Sequence, residues 1–172
     1  MSKPPRSPYP PDLGPGTPGA LDVVDLTDAV ATDVDWANVH ARGVSAQRAG
    51  LRRCRLTGAE LAEARFVDVT FEECRLDLVG LRHSRLERVV FRDCRMSECD
   101  LYGATLKDVL FERCELREAT FSGCTLERVE LRGCDLDGVR GAEALRGARL
   151  TWNDVMENAG LFAAALGIEV VE

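Results

Sequence analysis

Seven cysteines are the most chemically versatile residues of this 172-residue chain, and five of them, Cys54, Cys74, Cys94, Cys114 and Cys134, recur at steps of twenty. A thiolate can ligate a metal, pair as a disulfide or act as a nucleophile, and each use needs its own surroundings. Zinc sites need Cys-x-x-Cys spacing or nearby histidines, and neither accompanies this column. The cysteine number is odd, whereas a disulfide framework needs matched partners and an oxidising compartment. The two histidines, His40 and His83, have no nucleophile pattern near them. Gly14, Gly16 and Gly19 spell Gly-x-Gly-x-x-Gly, but Pro15 and Pro18 oppose the strand and helix that turn this motif into a phosphate cradle. Acids and arginines alternate instead of converging: Asp28, Arg48, Asp68, Arg88, Asp108, Arg128 form one series and Glu72, Arg92, Glu112, Arg132 another. No nucleophile, base or metal set comes together, so neither an enzyme nor a cofactor is expected.

The elements that must position these residues follow from a five-residue period. A bulky apolar residue occurs at every fifth position from Leu51 through Phe71, Phe91 and Phe111 to Leu136, and a small residue stands two positions before each, from Ala49 to Cys134. A step of five scatters side chains around an α-helix, and in a flat strand it alternates faces. Within a unit such as Cys74-Arg75-Leu76, however, the small and bulky residues flank an outward arginine with strand periodicity. Each unit therefore reads as a short extended leg followed by a corner, with its cysteine or other small residue turned inward. The columns of cysteine, phenylalanine and alternating charge all recur at twenty, so four legs close one coil. Residue i should then lie one strand spacing, about 4.8 Å, from residue i+20. Phe91 should touch Phe71 and Phe111, and Cys94 should lie beside Cys74 and Cys114. Asp68 should face Arg48 and Arg88, and Arg92 should face Glu72 and Glu112. Buried in this way, the thiols are expected to be reduced small fillers.

Units such as Ala104-Thr105-Leu106-Lys107-Asp108 resemble the pentapeptide-repeat family over roughly residues 24 to 139. The resemblance implies an all-β solenoid, a right-handed quadrilateral β-helix, with a C-terminal α-helix added by the sequence beyond it. Four segments are expected. Residues 1–20, which hold all seven prolines, are a disordered tail. Residues 21–48 have the weaker centres Leu26, Ala31, Trp36, Ala41 and Ala46 and form an irregular, thinner first coil or cap. Residues 49–140 are the regular solenoid, and 141–172 are a C-terminal cap. In that cap Thr151 and Asp154 mark a helix start, and a helix over about 152–166 presents Trp152, Val155, Met156, Ala159, Phe162 and Leu166 on one stripe. Ile168 to Val171 are expected to add a short strand. The stripe serves as a cap or as a homodimer contact, the latter because the resemblance includes members that dimerise through C-terminal elements.

Three outward features are candidate partner surfaces: the arginine column Arg55, Arg75 and Arg95, neutralised by Asp77 and Glu98; the apolar stripe Thr70, Val90 and Leu110; and Tyr102 on the quietest wall. No apolar run suits a signal peptide or membrane span, and a cytoplasmic protein without membrane or direct nucleic-acid contact is expected. The leading expectation is a non-enzymatic scaffold for a protein partner. The resemblance implies an alternative, because its fluoroquinolone-resistance members bind type II topoisomerases with acidic rods shaped like a DNA duplex. The net charge of −7 agrees with that alternative, but the distribution does not. Residues 49 to 139 carry 15 Lys/Arg against 18 Asp/Glu, and no wall is strongly acidic. DNA gyrase is thus the second expected partner.

Overall fold

The computed structural model describes residues 25–171, so the expected tail over 1–20 lies outside the described residues. The chain is a right-handed, four-sided parallel β-solenoid of about six turns closed by short C-terminal helices. Its corners explain the five-residue repeat. At every fifth position from Asp28 to Gly138 the backbone turns left-handed, with φ between 50° and 60° wherever the residue is not glycine. Such a conformation costs a residue with a Cβ about 1 kcal/mol, and here arginine and glutamate adopt it as well as asparagine and aspartate. One left-handed residue per unit bends the chain without breaking the inward and outward alternation of the leg.

Ladder hydrogen bonds then stack the coils. Strands β1 (Ser45–Arg52), β2 (Arg65–Glu72) and β3 (Arg85–Arg92) run across one corner and form two adjoining walls. The other two walls are stitched by single bridges such as Arg55 to Arg75 and Gly80 to Asp100. The register is twenty up to the last coil: Phe71 pairs with Phe91 and Phe91 with Phe111. The expected core contacts follow. The Phe91 ring stacks on Phe71 at 4.9 Å and on Phe111 at 5.0 Å, almost parallel to both. Each cysteine of the column donates its Sγ–H to the carbonyl of the residue 23 earlier, as Cys94 does to Phe71 at 3.5 Å and Cys114 to Phe91 at 3.4 Å. Fully buried Ser84 fills the same position on another wall, donating to the Leu61 carbonyl and accepting from the Ala64 N–H. The inward small position thus needs low volume and rewards a donor that can reach the carbonyl of a central residue in the coil before.

Two expectations change at the ends. The segment from residue 25 to 48 is not irregular: Leu26 pairs with Ala46 and Ala31 with Leu51 in the same register as the rest, and Trp36 is buried at a centre. Alanine centres thin the interior there, while the corners and ladders alone keep the geometry. At the other end, the cap has two helices, α1 (Trp152–Glu157) and α2 (Ala159–Ala165), broken at Asn158. Ile168 to Val171 form no strand and are exposed. The interruption turns Leu161 and Phe162 onto the core and leaves Trp152, Met156 and Leu166 exposed, so the expected single stripe is split. A 3-10 turn, Ala142–Leu145, replaces a leg before them. It shortens the last step by one residue, and Arg149 pairs with Glu130 and Leu150 with Leu131.

All seven cysteines are free, and only Cys124 is less than fully buried. Burial pushes up both the Cys99 thiol and the Cys124 thiol, the latter to about 11. Both groups are therefore protonated at neutral pH. Titration of the native protein with a thiol reagent should label Cys124 slowly and the other six only after denaturation. Rapid native labelling of most thiols would contradict the inward column.

Candidate interaction surfaces

Every leg directs one residue outward before its central residue and one after it, and the left-handed corner residue projects as well. The first wall is centred on Phe66, Leu86, Leu106 and Leu126, the second on Phe71, Phe91 and Phe111, the third on Leu76, Met96 and Leu116, and the fourth on Leu81, Leu101 and Phe121. Four walls of stacked rungs result, each a set of straight columns.

Along the corner after the first wall, charge alternation resolves into discrete pairs. Arg88 holds Asp68 through Nε at 2.6 Å and Nη2 at 3.0 Å, and Arg48 with Asp28 and Arg128 with Asp108 repeat the fork. Asp68 is thus bonded to Arg88, while Arg48 acts on it only through space. In the second series Arg92 bonds Glu112 at 2.7 Å, Glu72 lies instead toward Arg52 at 3.9 Å, and Arg132 turns to Glu130. A third column, not anticipated from the sequence, pairs Arg53 with Asp33 and Arg113 with Asp93. Its signal was present in the twenty-residue spacing of Asp33, Arg53, Glu73, Asp93 and Arg113. The arginine hydrogen bonds hold Asp28, Asp33, Asp68, Asp93, Asp108 and Glu112 below their ordinary pKa values. Because these folded-state values are depressed, the pairs contribute above the ordinary carboxylate range, and the contribution is lost as pH falls through the lowered values.

The structure brings the residues of each anticipated surface into register but keeps the three surfaces on different walls. Arg55, Arg75 and Arg95 stack on the third wall. Asp35 pairs with Arg55 at 3.3 Å, and Glu115 with Arg95 at 3.4 Å. Asp77 approaches Arg95 at 3.8 Å, whereas Glu98, the other expected neutraliser, pairs with none of them; its corner position directs it along the next column. Thr70, Val90 and Leu110 line the second wall, half-buried, and the column continues through Gly50 to exposed Val30. Tyr102 is exposed on the fourth wall, where the Arg82 guanidinium lies 5.1 Å from its ring centre and the His83 ring meets it edge-on at 5.6 Å. Arg82 is also paired with Asp100. At the C-terminal end an open groove of about 630 Å³ separates the last coil from α1 and α2, lined by Asp135, Asp137, Glu157 and Leu161 among others. No group of three or more histidine, cysteine or acidic side chains placed to hold a metal occurs among the described residues.

Comparison with known proteins adds the relatives. The profile described as pentapeptide repeat region matches residues 64–140, and the one described as pentapeptide repeats, eight copies, matches 42–77. HetL, a pentapeptide repeat protein involved in heterocyst differentiation regulation in the cyanobacterium Nostoc sp., shares 20% identity at a TM-score of 0.53. That match covers 72% of this chain and 60% of HetL, so the chain spans less than two thirds of that relative. QnrB1, a plasmid-mediated fluoroquinolone resistance protein, is 16% identical over 87% of this chain and 92% of its own, with a TM-score of 0.33. A pentapeptide repeat protein of the Arabidopsis thaliana thylakoid lumen is 20% identical over 66% of this chain and 77% of its own, with a TM-score of 0.40. No curated protein matches the sequence.

Proposed function

This chain belongs to the pentapeptide-repeat family, and on that premise we propose that it is a non-enzymatic scaffold whose rigid walls engage a protein partner. One observation carries the reading: the repeat commits the inward residues to packing and pairs most outward charges with one another, which leaves spatial display as the rod's capability. A rod of this kind holds side chains at fixed spacing, which lowers the backbone ordering cost of binding. We place it in the cytoplasm, where seven free thiols stay reduced. No described helix is long and apolar enough to cross a membrane.

The test is photocrosslinking in cells of the source organism, from an outward residue on each wall: Lys107, Leu110, Ser97 and Ser122. Crosslinks to a protein should concentrate on one wall. Absence of any crosslink from all four positions overturns the scaffold reading. Binding to DNA gyrase as a duplex mimic is opposed by the mixed charge of every wall. Supercoiling by purified gyrase should therefore be unchanged at large molar excess of this protein, and inhibition or protection from a gyrase poison would replace the scaffold reading by that one. Homodimerisation through the C-terminal helices has its own support, since Trp152, Met156 and Leu166 are 75%, 60% and 70% exposed. Val155 and Ala159 lie on the same two helices and extend that contact surface, whereas Phe162 packs against the core and is not part of it. Sedimentation velocity should show a concentration-dependent dimer that Trp152→Glu abolishes.

A further inference from the structure

We propose that the first wall is the partner-facing one, and that Arg65 and Arg85 capture an acidic segment of a protein partner, flanked by His83 and Tyr102 at the adjoining corner. The proposal deepens the scaffold reading and rests on it. Its starting point is the set of guanidiniums that the solenoid leaves unmatched. Between residues 42 and 132, Arg42, Arg48, Arg52, Arg53, Arg55, Arg82, Arg88, Arg92, Arg95, Arg113, Arg117, Arg128 and Arg132 each have a carboxylate partner. Arg65, Arg75 and Arg85 form no ion pair among the described residues, and Arg65 and Arg85 are exposed register partners, one strand above the other. Like charges at that spacing repel.

The stacked arginines of the third wall differ, because that column is closed by acids: Asp35 at one end and Glu115 at the other. The first-wall column reads Asp25, Ser45, Arg65, Arg85, Thr105, Thr125 in register, so the positions directly above and below the two arginines hold hydroxyls instead of acids. Lys107, on the neighbouring column of the same wall, also lacks an ion pair. The arginine column of this wall therefore offers cationic and hydroxyl donors that form no ion pair within the chain, and charge complementarity selects an anionic occupant. The chain itself displays the fit: at the adjoining corner Arg88 takes the Asp68 carboxylate through Nε and Nη2. A continuous polyanion suits the wall poorly, because Glu87 and Glu127 flank Lys107 along its column. Discrete carboxylates on a polypeptide avoid them. His83 is the corner residue two positions before Arg85, and Tyr102, 43% exposed, packs edge-on to it. A side chain at Gly103 would come within 2.6 Å of the His83 Nδ1, so the glycine lets the imidazole keep this place. Tyrosine and arginine at the centre of a flat surface are the residue types that dominate binding energy at protein interfaces.

The probe is a fluorescein-labelled peptide whose aspartates are spaced by serine and glycine, titrated with the full chain at low ionic strength and read by anisotropy. Arg65→Gln together with Arg85→Gln should weaken binding about tenfold or more, whereas Arg75→Gln on the opposite wall should change it less than about twofold. Unchanged thermal melts of both variants separate lost binding from lost folding. The proposal is overturned by no binding of the wild-type chain, by an equal effect of Arg75→Gln, or by tighter binding of a single-stranded oligonucleotide of equal charge through the same arginines. A homodimer that the Arg65/Arg85 pair of substitutions dissociates, with no effect on the peptide, assigns the wall to a second copy and likewise overturns it. The crosslinking experiment keeps the two readings apart: crosslinks confined to another wall leave the scaffold reading standing and remove this one.

Discussion

Phe91→Ala should destabilise the protein by about 3 to 5 kcal/mol, among the largest effects of any single truncation. Phe91 has no exposed surface and is held between two parallel rings, so its loss removes packing from the coil above and the coil below together. Backbone ladders fix the distance between those coils, and the neighbours cannot collapse into the space. Leu26→Ala offers the contrast, because Leu26 is a centre in the first described coil and is 8% exposed. There the cavity opens toward the end of the rod, and a cost below about 2 kcal/mol is expected, at the low end for a leucine truncation. Phe91→Leu should cost about 1 kcal/mol by retaining most of the volume. Equilibrium denaturation in guanidinium chloride checks all three. Equal losses for Phe91→Ala and Leu26→Ala would mean that the interior is not a continuous column whose middle is better supported than its end.

The second large effect is expected at Asp154, a buried acid in the C-terminal cap. Its Oδ1 accepts from the Gly133 N–H at 2.8 Å, and its Oδ2 accepts from the Thr151 N–H at 3.1 Å and from the Thr151 hydroxyl. The Thr151 Oγ1 in return accepts from the Asp154 N–H, completing a capping box. One carboxylate therefore starts α1 and ties the cap to the last coil. Asp154→Ala removes all of these acceptors and should cost about 2 to 4 kcal/mol. The loss should be local: hydrogen exchange should accelerate at Gly133 and across residues 142 to 165 and stay unchanged around Phe91. Asp154→Asn keeps one acceptor oxygen and should lose less. Uniform acceleration over the whole rod would show instead that the cap and the solenoid unfold as one unit.

The sequence was most informative where the structure is periodic, and the reason is physical. In a solenoid, residue i+20 is always the neighbour, so spacing along the chain is equivalent to position in space. The phenylalanine stack, the buried cysteines and the corner ion pairs could be read from the spacing of Phe71 and Phe91, Cys74 and Cys94, Asp68 and Arg88. The same rule reached further than it was applied, since Arg65 and Arg85, also twenty apart, were as visible as Arg55 and Arg75.

What the spacing leaves open is the choice each charged side chain makes between two neighbours, one above and one below. Arg92 prefers Glu112 to Glu72, and Arg132 prefers Glu130 on its own strand, by rotamer geometry that the pattern does not encode. The ends leave more open still. After Val139 the period stops, and contacts then depend on how α1 and α2 dock: Asn158 divides the helix, Asp154 turns inward, and Trp152 turns out. Sequence alone therefore determined the solenoid, its register and its inward thiols, because local alternation and corner geometry repeat identically in every unit. Tertiary structure decided which ion pairs form, which arginines remain without acids and how the cap attaches, because each of these is a competition between contacts that are distant in the chain and close only after folding.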